Sequence, residues 1–190
     1  MFVVKKKYFL IIENTKDIDL KNIKLHNKFS IIYRNHKNQE NLSNLIKFSQ
    51  ICRLKNIKFY VANDLTLATK IRSNGVYLSA FNSSLKCLAL KSSRFEIIGS
   101  AHNLREIRMK ILQGCSSILF SKLFLVNYDK KSSFLGIVKF NNFLKIFQNL
   151  IPLGGINSKN LNNLRNVNCY GFALFSEVKK KPAKIINRLF

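Results

Sequence analysis

The chain has 190 residues (22.0 kDa), of which 47% are hydrophobic and 16 are Phe. That composition excludes a disordered tail, and the length suits a single domain spanning 1–190 with a substantial core. Lys and Arg number 33 against 9 Asp and Glu, a formal net charge of +24. Such a charge attracts anionic ligands. The crowding of Lys, Asn, Ile and Phe is also what an AT-rich genome encodes by default, and the cations are scattered rather than gathered into one basic tail. No RNA-binding or helix-turn-helix pattern is legible, so nucleic acid is not an expected partner.

No apolar run approaches the ~20 residues that span a bilayer, so no membrane partner is expected. The run Tyr8–Ile12 stops at Glu13 and is too short for a signal-peptide core. The cysteines (Cys52, Cys87, Cys115 and Cys169) form no CxxC pair and no zinc spacing with the histidines. Free thiols in a reducing cytoplasm are expected.

In chain order, short continuous apolar runs alternate with segments of helical period. The runs are Tyr8–Ile12, Phe29–Tyr33, Phe59–Ala62, Gly75–Leu78, Phe95–Ile98, Ser117–Phe120, Ile151–Leu153 and Gly171–Phe175. Continuous rather than alternating apolarity marks parallel strands buried on both faces. Between runs one and two the pattern is weak, so the first helix is expected to be short or missing. Leu42, Leu45, Ile46, Ser49 and Cys52 predict a helix, and Leu65 to Ile71 a shorter one. Leu104, Ile107, Ile111 and Leu112 predict a third, opened by Asn103 as N-cap with Glu106 three residues on. Ile137, Phe140, Phe143, Leu144 and Phe147 predict a fourth. Leu161 and Leu164 mark another short helix, and Ala183 to Leu189, after Pro182, a last one.

Eight strands alternating with helices fit a closed (β/α)8 TIM barrel or an open doubly wound sheet. The count favours a compact barrel. The absence of GxGxxG and of a Walker A sequence weakens the open nucleotide-binding alternative. In a barrel the site gathers at the C-terminal strand ends. The polar residues there are basic and hydroxyl-rich: Arg34 and His36 after run two, Asn63 and Asp64 after three, and Asn82 beyond four. Ser100 and His102 follow run five, Ser121, Lys122 and Lys130 run six, Gly154 and Gly155 run seven, and Ser176 run eight. The set suits an anion. Gly154-Gly155 before a helix could bring bare backbone N–H groups to a phosphate, or be an ordinary turn. Asn63-Asp64 could be a helix cap, or a substrate hydrogen-bonder beside a Mg²⁺ ligand.

Four ordered segments then carry a resemblance. "FYVANDLTLATKIRSNGVYLS", "IIGSAHNLREI", "IPLGGINSKNL" and "GFALFSEV" are similar to the signature of the thiamine phosphate synthase and TenI family. The resemblance runs from about Tyr8 to the C-terminus and implies a (β/α)8 barrel acting on small phosphorylated substrates. Its synthases join a pyrimidine diphosphate to a thiazole phosphate, releasing pyrophosphate with Mg²⁺. Its TenI-like relatives isomerise a thiazole carboxylate phosphate.

Carried over residue by residue, the resemblance keeps Arg34 and puts His36 where the family has Lys. It assigns substrate binding to Asn63 and Ser100, and a metal-ligand role to Asp64. It puts Asn82 near the second metal Asp, so a weakened Mg²⁺ site is implied. His102 matches a general acid/base of the TenI branch. The strand-six pattern G-P-x-x-x-T-x-[ST]-K falls on Ser121 through Asp129 and is eroded, with Val126 for Thr and Lys130 the nearest cation. Gly154 and Gly155 fall on the thiazole-phosphate turn, and Phe175 and Ser176 on its closing pair. A homo-oligomer is compatible with the sequence. A barrel that lost catalysis and kept thiazole phosphate, or that binds nucleic acid through its basic surface, is the rival outside enzymology.

Overall fold

The computed structural model describes residues 7–22, 26–35, 40–90, 92, 95–126 and 133–175. Eight strands appear where continuous apolar runs predicted them. They are β1 (Lys7–Ile12), β2 (Phe29–Tyr33), β3 (Lys58–Ala62), β4 (Gly75–Leu78), β5 (Glu96–Ala101), β6 (Ser117–Ser121), β7 (Leu150–Leu153) and β8 (Gly171–Leu174). All pairings are parallel, in the order β7-β6-β5-β4-β3-β2-β1-β8. β7 and β8 also approach one another, so the sheet curls into a nearly closed TIM barrel.

Among the described residues four α-helices cover the outside: α1 (Leu42–Leu54), α2 (Leu65–Lys70), α3 (Leu104–Leu112) and α4 (Gly136–Ile146). Their starts follow the capping rule. The side chains of Asn41, Asp64 and Asn103 accept hydrogen bonds from the N–H groups of Ser43, Leu67 and Glu106 at 3.0, 2.8 and 2.9 Å. α1 ends at Lys55, and the following Asn56 is left-handed (φ 53°), a conformation Asn tolerates.

Between β1 and β2 the described residues form 3₁₀ turns at Thr15–Asp17, Leu20–Asn22 and His26–Lys28 and no α-helix, in line with a first helix expected to be short or missing. Lys86–Leu90 and Leu161–Asn166 are also 3₁₀. The last corrects the helix expected around Leu161 and Leu164. A single i, i+3 apolar pair fits either period, and only this tighter turn forms. The helix expected at Ala183 to Leu189 lies outside the described residues.

Two cores result. Inside the barrel, Phe9, Ile11, Ile32, Tyr60, Tyr77, Ile98, Leu119, Ile151 and Ala173 fill the interior, as alternation along each strand requires. Outside, the opposite strand faces meet the helices. Phe48 of α1 packs edge-on against Phe59 (ring centroids 5.2 Å), and Phe143 of α4 against Phe120 (5.0 Å).

α3 departs from its expected stripe. Ile107 is buried, but Ile111 and Leu112 are exposed and Lys110 is fully buried. The cause lies on β5. Gly99 has no side chain, and a Cβ there would come 2.7 Å from Lys110 Cδ. The lysine stem fills that slot. Its ammonium donates to the Asn82 carbonyl (2.6 Å) and to Gln113 Oε1 (2.8 Å). Burial lowers the Lys110 pKa, against the opposing influence of Cys115, Glu106 and Cys87.

Candidate functional site at the barrel mouth

The C-terminal strand ends converge on one mouth, and its residues are best taken strand by strand. Arg34 follows β2, its N–H donating to the Ile12 carbonyl at 2.8 Å, which continues the β1–β2 pairing one step past the strand. Tyr77 of β4 is buried inside the barrel. Burial raises its pKa, while a hydrogen bond with Ser100 of β5 and the field of the Arg34 guanidinium act the other way. Arg34, Tyr77 and Ser100 therefore form one electrostatic group, contributed by three strands.

His102 stands at the end of β5. Its Nδ1 is 2.8 Å from the Ser121 hydroxyl at the end of β6. Its backbone N–H donates to Glu106 Oε2 at 2.6 Å, tying the strand end to the first turn of α3. Ser121 is buried and His102 exposed, so the pair joins the barrel wall to the opening. An imidazole held this way can accept or deliver a proton at its other nitrogen.

Gly154 and Gly155 follow β7 with φ of 92° and 70°, both in the left-handed region. A Cβ at Gly155 would lie 2.4 Å from the Phe124 carbonyl oxygen, so only glycine fits. The Gly155 carbonyl accepts from Asn157 Nδ2 (3.1 Å) and Asn160 Nδ2 (2.7 Å). The turn is thus pinned. No α-helix follows it; a turn leads into the 3₁₀ segment at Leu161. The helix dipole expected behind the glycines is missing.

Asn63 has φ 59°, and its Oδ1 accepts from the Ser79 N–H (2.9 Å) and Asn82 Nδ2 (3.1 Å). Asp64 Oδ1 caps α2, the blander of its two sequence readings. Asn82 Oδ1 accepts from the Ser84 N–H at 3.0 Å, and its backbone carbonyl holds the Lys110 ammonium. Asn82 is therefore a neutral amide committed to its own loop, with a fixed cation behind it. Thiamine phosphate synthases generally use Mg²⁺. Here one carboxylate, already capping a helix, stands where Mg²⁺ needs hard oxygen donors. No cluster of three or more His, Cys, Asp or Glu side chains suited to a metal occurs among the described residues. With one carboxylate at the family positions, Mg²⁺ held here would draw its remaining oxygens from substrate phosphates and water.

His36, Lys130 and Ser176 lie outside the described residues. Phe175 follows β8 and packs against the barrel interior. Two further polar residues enter the mouth. Tyr77 occupies the third position of GVYL, where the family signature GVHL has His. Ser121 follows run six in the sequence beside two lysines, and only the pairing of β5 with β6 brings it to His102.

The four cysteines are buried and none is in a disulfide. Burial pushes the Cys52 thiol up to about 12, which makes it inert. No helix among the described residues is long and apolar enough to cross a membrane.

Comparison with known proteins agrees with this architecture. A thiamine-phosphate synthase of Prochlorococcus marinus subsp. pastoris is 28% identical over 138 residues, covering 70% of this chain and 39% of that protein. The chain thus spans about two fifths of that relative's length. A thiamine-phosphate synthase of Persephonella marina is 25% identical over 150 residues, covering 77% of this chain and 71% of its own. The solved thiamine phosphate pyrophosphorylase of Pyrococcus furiosus superposes with a TM-score of 0.71, covering 98% of each chain, at 15% identity, a likeness of fold. The family model described as thiamine monophosphate synthase matches residues 5–178, and the chain belongs to that family.

Proposed function

We propose that the barrel mouth binds a thiazole phosphate and couples it to a pyrimidine methyl diphosphate, giving thiamine phosphate and pyrophosphate. The observation that carries this reading is the convergence of Arg34, Tyr77–Ser100, His102–Ser121 and the Gly154–Gly155 turn at one end of one barrel. A cation, hydroxyls and a bare backbone turn suit two phosphorylated ligands.

In the coupling, the bond between the pyrimidine methylene carbon and the diphosphate oxygen breaks. The diphosphate leaves with the electron pair. The thiazole nitrogen then donates its lone pair to the methylene cation, forming the C–N bond. This chain's part is electrostatic. Arg34 stabilises charge gathering on the departing oxygens. Asn63, held in its left-handed conformation by Ser79 and Asn82, and Ser100, backed by Tyr77, orient the pyrimidine. The glycine turn seats the thiazole phosphate, which fixes the nitrogen in line. The barrel interior beneath excludes water from the cation. The four buried thiols, none in a disulfide, favour a reducing cytoplasm as its place of work.

The test is to supply both precursors and follow pyrophosphate and thiamine phosphate together. Equal amounts of each are expected; thiamine phosphate failing to appear while both ligands bind would refute coupling.

One observation favours a second reading. The Ser121–His102 contact at 2.8 Å is what a proton-transfer site needs, and isomerising a thiazole carboxylate phosphate needs no diphosphate residues. Supplying that tautomer alone and following its ultraviolet spectrum separates the two.

A further inference from the structure

The glycine turn poses a charge problem. A phosphate over Gly154 and Gly155 meets backbone N–H dipoles, yet among the described residues the segment that follows the turn is 3₁₀ and no α-helix, so it adds no macrodipole. The family pattern keeps a lysine at the end of the strand-six loop, where this chain has Asp129. A cation is needed from elsewhere in the wall.

Lys122 answers it. It follows β6 directly, at the position where the family pattern has proline, so the resemblance assigns it no role. Its backbone is held from two sides: its carbonyl accepts from the Leu135 N–H (2.9 Å), and the next residue, Leu123, donates to the Leu153 carbonyl (2.9 Å). The side chain starts out along the turn. A Cβ on Gly154 would lie 3.2 Å from both Lys122 Cα and Cβ and 3.5 Å from Cγ. The half-buried stem therefore lies across Gly154, in the space its missing side chain leaves. Lysine carries its ammonium about 6 Å from Cα on a flexible stem, which brings any anion seated on the turn within reach.

We propose that Lys122 supplies the positive charge that holds a phosphate on the Gly154–Gly155 turn. Gly154 serves it twice: the glycine opens the turn to the ligand and clears the path of the lysine stem. This inference rests on the phosphorylated-ligand reading above, but its charge argument needs only a phosphate.

The experiment is calorimetric, with wild type, Lys122→Met, Lys122→Arg and, as a control, Lys47→Met, whose exposed side chain lies on α1. The probes are inorganic phosphate, thiazole phosphate and the unphosphorylated thiazole alcohol. Lys122→Met should weaken both phosphate probes at least tenfold and leave the alcohol unchanged. Lys122→Arg should stay within about threefold of wild type, and Lys47→Met should bind as wild type does. Thermal melts of the variants show that each folds. If Lys122→Met holds both phosphate probes as tightly as wild type, the proposal is overturned. If wild type binds inorganic phosphate through Lys122 but ignores thiazole phosphate, the cation stands and the thiazole reading falls. If wild type binds no phosphate at all, both fall.

Discussion

The two ends of the barrel use polar residues in opposite ways. At the N-terminal end Lys58 pairs with Glu96, and the Tyr60 hydroxyl donates to the other Glu96 oxygen at 2.8 Å. Ser117 and Tyr170 share a hydrogen bond of 2.6 Å, with the Lys7 ammonium 5.9 Å from the Tyr170 ring centre. Charge meets counter-charge at this partly exposed end. Burial alone would raise the Glu96 pKa; hydrogen bonds from Lys58 and Tyr60, with the Lys58 and Lys7 charges, bring it below its usual value. At the C-terminal end the Arg34 charge acts on Tyr77 beside Ser100, and His102 meets the Ser121 hydroxyl through its ring and the Glu106 carboxylate through its N–H. The paired end stabilises the barrel. The mouth gathers the groups suited to a ligand.

The largest effect should come from breaking the mouth. Arg34→Ala should lower coupling by roughly 10²–10³-fold, as removal of a charged transition-state donor does, with little change in melting temperature. Steady-state kinetics beside a thermal scan check this. A loss of both activity and fold would place Arg34 on the structural side of the comparison.

Next come substitutions that separate packing from chemistry. Lys110→Met keeps the stem that fills the Gly99 slot and removes the ammonium from Asn82 and Gln113. It should cost about 1–3 kcal/mol, measured by denaturant unfolding. Gly155→Ala should cost a similar ~1–3 kcal/mol, since φ 70° is strained for alanine and the new Cβ would strike the Phe124 carbonyl. It should also weaken phosphate binding, which Lys110→Met should not.

Breaking the paired end should give a smaller effect with the opposite signature. Glu96→Gln should lower stability by about 1–2 kcal/mol at neutral pH and leave turnover per folded molecule unchanged. The pH dependence has a definite sign. The Glu96 pKa is lowered on folding, so its contribution is present above the unfolded-state value and is lost as pH falls through the lowered folded-state value. Melting temperature followed into acid should show that limb in wild type and lose it in Glu96→Gln.

How far the sequence speaks differs between these ends too. The eight strands are legible because strands buried on both faces are apolar without interruption, and β2 and β4 have the predicted bounds. The Asn103 cap is legible because its partner is three residues away. Contacts between strands are not. Lys110 reads as a solvent-facing cation until Gly99, eleven residues earlier, is known to leave it room. Lys58 and Glu96 meet only through barrel register, as do His102 and Ser121. At Asp64 a single residue type serves helix capping and metal binding alike, and the hydrogen bond to Leu67 identifies only the first.

The central claim is that the Arg34 end of this barrel seats a thiazole phosphate beside a pyrimidine diphosphate. Mixing the purified full chain with both compounds and quantifying products by mass spectrometry tests it most directly. Thiamine phosphate and pyrophosphate appearing in equal amounts, and vanishing with Arg34→Ala, is the predicted result. No thiamine phosphate from wild type, with neither compound retained by the protein, would contradict it.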